Sequence, residues 1–257
     1  MVKKWQNNGF SLIELLVALG IIAALTALAI PAIKAMQKSY DSTGAESMIN
    51  AALATARTLA ITNQKYVGIR FQKAGDPNNA LNAKQYMIFI INDEDMGTLQ
   101  DAFRVIKGYK PIKLPENMGV MDMKLGNSAD IELDDQIDDD NLELNNTTAF
   151  SIIFSPSGKL VIHDVQIRNK DGKDYNDSPG SDDDVFNIKE KVYDEKAMFI
   201  QDDYAQYGLR KELSRNRFKI YDCEKFSKLN PNERHSTYLI DLKFVHVNPY
   251  TGEIIKK

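Results

Sequence analysis

Cysteine is almost missing from this 257-residue chain: Cys223 stands alone, so no intramolecular disulfide can form and stability has to come from a core or from partners. A basic excess is missing too. With 32 Lys and Arg against 36 Asp and Glu the formal net charge is −4, which leaves no cationic footprint for phosphates, and no nucleic-acid partner is expected. His163, His235 and His246 are the only histidines and are too dispersed for a zinc spacing; each reads as an ordinary strand or loop residue. Without a glycine-rich phosphate loop, a serine elbow or a locatable Cys-His arrangement, catalysis lacks a candidate set. The chain is therefore expected not to be an enzyme.

What is present is unevenly spread. From Phe10 to Ile33, 19 of 24 residues are apolar, the exceptions being Ser11, Glu14, Gly20, Thr26 and Pro31, and this is enough helix to cross a bilayer. A cleaved secretory signal is the alternative, since the alanines between Ala18 and Ala35 could mimic its cleavage site. The run is too long for one, however, and holds a carboxylate. An ionised Glu14 inside hydrocarbon costs about 2.5–3.5 kcal/mol and needs a compensating partner. Phe10, four residues earlier, would supply one if the chain were cut after Gly9, because the cut frees an α-amine. Pro31 removes one helical hydrogen bond and crowds the preceding turn, so a kink or melted turn is expected there. Lys34 and Lys38 nearly balance Lys3 and Lys4, so loop charge alone leaves the orientation open.

The order Lys3, Lys4, Gly9, Phe10, Ser11, Leu12, Ile13, Glu14 resembles the class III signal of type IV pilins and type II secretion pseudopilins. The resemblance implies that residues 1–9 are a leader removed by a prepilin peptidase on the cytoplasmic side, and that the new Phe10 amine is methylated. It also implies that residues 10–33 stay behind as a single-pass anchor in a bacterial inner membrane, and that Glu14 pairs with the Phe10 amine of a neighbouring subunit. A residue without a side chain at position 9 lets the scissile backbone enter a narrow catalytic site. Small residues at Ala18, Gly20, Ala23, Ala24 and Ala27 would let such helices pack closely.

Beyond the anchor, Ala45, Met48, Ile49, Ala52, Leu53, Ala56, Leu59 and Ala60 recur at three- and four-residue spacing, so residues 34–64 read as an amphipathic continuation of the helix ending near Asn63. Residues 65–257 read as a β-rich periplasmic domain. Strands are expected at 66–71, 85–91, 119–125, 150–154, 159–165, 217–221 and 238–247, and the pattern predicts an α+β fold with a long N-terminal helix packed on antiparallel sheet. Three segments, Phe154-Ser155-Pro156-Ser157-Gly158-Lys159, His246-Val247-Asn248-Pro249-Tyr250-Thr251-Gly252-Glu253 and Ala54-Thr55-Ala56-Arg57-Thr58-Leu59-Ala60-Ile61, look like the H-type minor pseudopilins of type II secretion. That resemblance implies a structural subunit of a pseudopilus, with other pilin-like subunits, an inner-membrane assembly platform and secreted cargo as partners, and a C-terminal domain in the periplasm or at the cell exterior. Two other readings remain: a type IV pilin or minor pilin serving adhesion, motility or DNA uptake, and a membrane-tethered binding module or enzyme unrelated to fibres, which would be indifferent to Glu14.

Acids cluster twice. Nine lie between Asp122 and Glu143 against one Lys124, and seven aspartates lie between Asp164 and Asp184 among Gly172, Pro179 and Gly180. Such runs are usually solvated loops. The second also offers a pool of oxygens for calcium: Asn169, Asp171, Asp174, Asp177, Asp182, Asp183 and Asp184. Ile167 occupies the first ligand position of an EF-hand and excludes that motif. Ser178-Pro179-Gly180-Ser181-Asp182-Asp183-Asp184 resembles, more loosely, the calcium loop of major pseudopilins.

Overall fold

Helix α1 runs from Leu12 to Asn63, ending where the apolar spacing predicts. The computed structural model describes residues 12–75, 83–93, 102–122, 124–125, 129–130, 148–173, 180–202, 212–230 and 233–256. The chain divides into two compact units, Met1–Asp41 and Ser42–Lys257. In the second unit, Ala45, Ile49, Ala52, Leu53, Ala56 and Ala60 are buried along one stripe of α1. Four of these six are alanines, which let the helix axis approach the sheet closely. At its end Gln64 adopts φ +54°, the left-handed conformation that stops a helix, while the Asn63 amide donates to the Leu59 carbonyl at 2.8 Å and the Gln64 amide to the Ile61 carbonyl at 2.6 Å.

The strands follow in order: β1 (Val67–Lys73), β2 (Gln85–Asn92), β3 (Ala102–Val105), β4 (Ile112–Lys113), β5 (Met118–Met121), β6 (Lys124–Leu125), β7 (Ala129–Asp130) and β8 (Phe150–Phe154). Then come β9 (Leu160–Val161), β10 (Asp164–Ile167), β11 (Phe186–Asn187), helix α2 (Lys189–Tyr193), β12 (Phe199–Ile200), β13 (Glu212–Leu213) and β14 (Arg217–Asp222). Helix α3 (Cys223–Lys228), a π-helix (Arg234–Leu239), β15 (Val245–Val247) and β16 (Ile254–Lys256) complete the domain. The main sheet has the order β13-β10-β3-β2-β1-β8-β9, with β4 also on β2, and a second sheet has the order β16-β15-β14-β5.

Alternation builds two cores from the main sheet. Val67, Ile69 and Phe71 of β1, Met87 and Phe89 of β2 and Phe150, Ile152 and Phe154 of β8 join the apolar stripe of α1 on one face. Ile88, Ile90, Ile153, Phe103, Val165 and Ile167 meet Phe186 and Phe199 on the other. Buried Gln85 seams the two sheets: its amide donates to the Val120 and Thr148 carbonyls at 3.0 and 2.7 Å, and its oxygen accepts from the Val120 N–H at 2.7 Å. A Cβ at Gly68 would collide with the Ile152 carbonyl, so β1 can lie this close to β8 only with glycine there.

The architecture is α+β and rich in antiparallel pairs, but not purely antiparallel: β10 pairs with β3, and β11 with β12, in parallel. The long connections between these strands permit that direction, which a tight hairpin would forbid. The strand expected over 159–165 breaks at Ile162 and His163, because Ser214 stands in as ladder partner; its hydroxyl accepts from the His163 N–H at 3.0 Å and donates to the Val161 carbonyl at 2.9 Å. The strand expected over 119–125 divides into β5 and β6 around Asp122, whose carboxylate is drawn to Arg215 at 2.6 Å. The segment 238–247 is a strand only from Val245. Tyr238 and Leu239 instead close the π-helix, where the Leu239 carbonyl accepts from the Lys219 ammonium at 2.7 Å and the Tyr238 hydroxyl accepts from the Asp222 N–H at 2.9 Å.

Candidate functional site

Gly9 and Phe10 lie outside the described residues, as do the side chains of Glu14 and Pro31; the backbone of the last two belongs to α1. The helix assignment continues through Pro31, so the turn expected to melt there is helical. Among the residues whose side chains are described, Leu12, Ile13, Leu15, Leu16, Val17, Leu19, Ile21 and Ile22 are exposed, from 54% at Val17 to 81% at Leu12. Those eight cover every face of the helix. An all-round apolar surface is one that a helix in water does not ordinarily present. Among the described residues, no helix is long and apolar enough to cross a membrane; the span expected at 10–33 includes residues outside them.

In the second unit, the three segments singled out in the sequence converge. Gly158, at φ +74°, turns the chain between β8 and β9, and its carbonyl accepts from Arg57 Nε of α1 at 2.9 Å. Gly252, at φ +76°, turns the chain between β15 and β16, and a Cβ there would press on the Phe154 ring and the Arg57 side chain. The two turns are joined by the Leu160 N–H donating to the Pro249 carbonyl at 2.8 Å, and the second is tied to α1 by the Ile254 N–H donating to Asn50 Oδ1 at 2.9 Å. Tyr250 and Ile61 are exposed beside this junction. Arg57 is thus a bracket between helix and turns, so its spacing in the helix motif serves packing.

The aspartate loop is brought together only in part. Asp174 and Asp177 lie outside the described residues. Asp183 is buried; its oxygens accept from the Lys170 N–H at 2.6 Å and the Val185 N–H at 2.9 Å, while burial pushes its carboxyl up. Asp182 is exposed and lies 2.9 Å from the Lys170 ammonium, a bond that holds its carboxyl below the usual range. Asp171 accepts from the Ser181 hydroxyl at 2.6 Å, the Asn169 amide donates to the Lys173 carbonyl and Gln201 Oε1 at 2.6 Å each, and Asp184 faces solvent. These acids fold the loop through protein donors. Among the described residues no group of three His, Cys, Asp or Glu side chains is gathered for a metal. His163 packs on Tyr66 and Phe103, and His246 on Phe244, so both serve aromatic packing.

One cleft escapes sequence reasoning, because its walls come from β1, β2, the β4–β5 connection and α3. It encloses about 210 Å³ and is lined by Lys73, Lys84, Glu116, Tyr221, Cys223 and Glu224 among others. Burial brings the Lys73 amine down to about 8, with Cys223 acting in the opposite sense and Arg234 in the same one. Burial also pushes the Cys223 thiol up, which keeps it protonated and a poor nucleophile. The volume is below the roughly 300–1,000 Å³ of small-molecule sites.

Residues 6–30 match the family model of the prokaryotic N-terminal methylation motif. No curated protein and no solved structure matches the chain. The matched stretch contains Gly9, Phe10 and Glu14 and supports a type IV pilin-like protein with a class III signal.

Proposed function

We propose that this chain is a structural subunit, a minor pseudopilin of a type II secretion pseudopilus, and not an enzyme. The observation that carries the reading is the methylation-motif match over residues 6–30, with Gly9 immediately before Phe10 and Glu14 four residues further on. A prepilin peptidase cuts after Gly9 on the cytoplasmic side and methylates Phe10. Residues 10–33 remain in the inner membrane as a single-pass anchor, and the domain lies in the periplasm. Incorporation moves the chain into a fibre through an inner-membrane assembly platform. There the apolar helix faces exchange lipid for the helices of other pilin-like subunits, and Glu14 finds the Phe10 amine of its neighbour. Pairing two charges that are each costly in hydrocarbon gives the fibre an axial register, because a shifted subunit leaves both unpaired. The domain then meets partners or secreted cargo. The junction of Arg57 with the Gly158 and Gly252 turns supports the H-type assignment, since it ties together the three segments that resemble that group.

The test is co-expression with and without a prepilin peptidase. The reading expects a mass loss equal to residues 1–9 only with the peptidase, and recovery of the shortened chain in sheared pseudopili. Recovery in adhesive or motility pili instead would assign it to the type IV pilus machine, and indifference to the peptidase would leave only a tethered module.

A further inference from the structure

Glu212 opens β13, the two-residue strand at one edge of the main sheet, held on β10 by the pairs Val165↔Glu212 and Asp164↔Leu213. Its side chain is 8% exposed and meets charges from four other places: Arg70 of β1, Asp122 after β5, Asp202 after β12 and Arg215 just beyond β13. These groups pair unequally. Arg70 Nη2 lies 2.8 Å from Asp202 Oδ1, and Arg215 Nε lies 2.6 Å from Asp122 Oδ2, all four side chains being at least nine-tenths buried. The second oxygen of Asp202 accepts from the Ile167 N–H at 2.8 Å. Among the described residues, Glu212 Oε2 has only Arg215 Nη2, at 3.4 Å, and Oε1 is buried with no hydrogen-bond partner. Two described guanidiniums therefore face three described carboxylates, and both are engaged by aspartates. An ionised Glu212 leaves the cluster one negative charge in excess inside the protein, and a protonated one leaves it neutral.

We propose that Glu212 is a proton-operated latch on β13: its neutral carboxyl completes the Arg70–Asp122–Asp202–Arg215 cluster and keeps the strand on the sheet, and its ionisation loosens the strand. Burial, the largest influence, lifts the carboxyl to about 7; Arg215 and Arg70 pull it down, and Asp202 and Asp122 push it up. In the unfolded chain the same carboxyl loses its proton near the ordinary 4.5. Between those two values the folded protein binds more protons than the unfolded one. Stability from this group is therefore full below about 4.5, falls as pH rises, and is gone above about 7. β13 is where the loss shows, because its described ladder is two residues long on one neighbour, with the Ser214 ties to His163 and Val161 and the Arg215 N–H on the Ser151 carbonyl at its far end only.

The experiment uses the detergent-solubilised full chain, wild type and Glu212→Gln, melted between pH 5 and pH 8. Amide exchange is followed in parallel on peptides covering Glu212 to Ser214. The wild type should lose roughly 5–10 °C more in Tm across that range than the glutamine variant. At pH 8 the variant should melt above the wild type, and only the wild type should lose β13 protection once intrinsic exchange is corrected. Equal pH slopes, or a variant that melts lower at pH 8, would overturn the latch. Should the variant not fold, infrared titration of wild type carrying ¹³C-labelled glutamate decides: a protonated acid band persisting at pH 6 and titrating near 7 supports the proposal, and its absence at pH 6 ends it.

Discussion

Residues 12–22 and residues 45–60 belong to the same helix and are both rich in Leu, Ile and Ala, yet the first is exposed on every face and the second is buried along one stripe. What separates them is pattern rather than hydrophobicity. In the second stretch, exposed Ser47, Ala51, Ala54 and Thr58 recur at helical spacing between the buried apolar residues, so one face meets the sheet while the other stays in water. In the first, only Glu14 and Gly20 interrupt the apolar residues, so the sequence leaves no polar face for water. A stretch that has its partner in its own fold shows a stripe; the first stretch shows none, and under the proposed function its partners lie outside the chain.

Five substitutions probe the two stretches and the domain they serve. The largest effect is expected from Gly9→Val, which should leave the precursor at full length in membranes containing the peptidase, as read by mass on a gel, while the Ser42–Lys257 domain melts normally. Glu14→Leu comes next. Insertion and cleavage should persist, but most of the chain should be missing from sheared fibres; wild-type incorporation would remove the pairing role. Leu53→Ala reverses the pattern of damage: the domain should lose about 2–5 kcal/mol in chemical denaturation, with leader cleavage unaffected. Gly158→Ala should cost roughly 1–2 kcal/mol, through its left-handed backbone and its contact with Ile61. The smallest change runs the other way: Gln64→Gly should stabilise by less than about 1 kcal/mol, because glycine adopts φ +54° without strain.

Much of this is legible in the sequence alone. The end of α1 at Asn63 follows from apolar residues at three- and four-residue spacing, and strands β1, β2, β8 and β14 follow from short β-branched and aromatic runs whose apolar residues mostly enter the core. The losses have physical causes too. β3 at Ala102–Val105 holds only four residues and is buried through a parallel partner, which leaves no alternation to see. The 238–247 run has strand-like composition, but Lys219 and Asp222 satisfy a π-helix there, and both come from a distant strand. Of the candidate site, the motif at residues 6–30 is readable because it is contiguous. The charge cluster around Glu212 is not, since Arg70, Asp122, Asp202 and Arg215 are separated by most of the domain and look like ordinary surface residues one at a time.

Under the proposed function the chain starts as a precursor and works through a new terminus placed next to an acid-bearing apolar helix. N-terminal mass spectrometry of protein extracted from native membranes tests this. The account predicts a chain beginning at N-methylated Phe10 with the apolar helix intact; a chain beginning at Met1, or one that has lost residues 10–33 altogether, would contradict it.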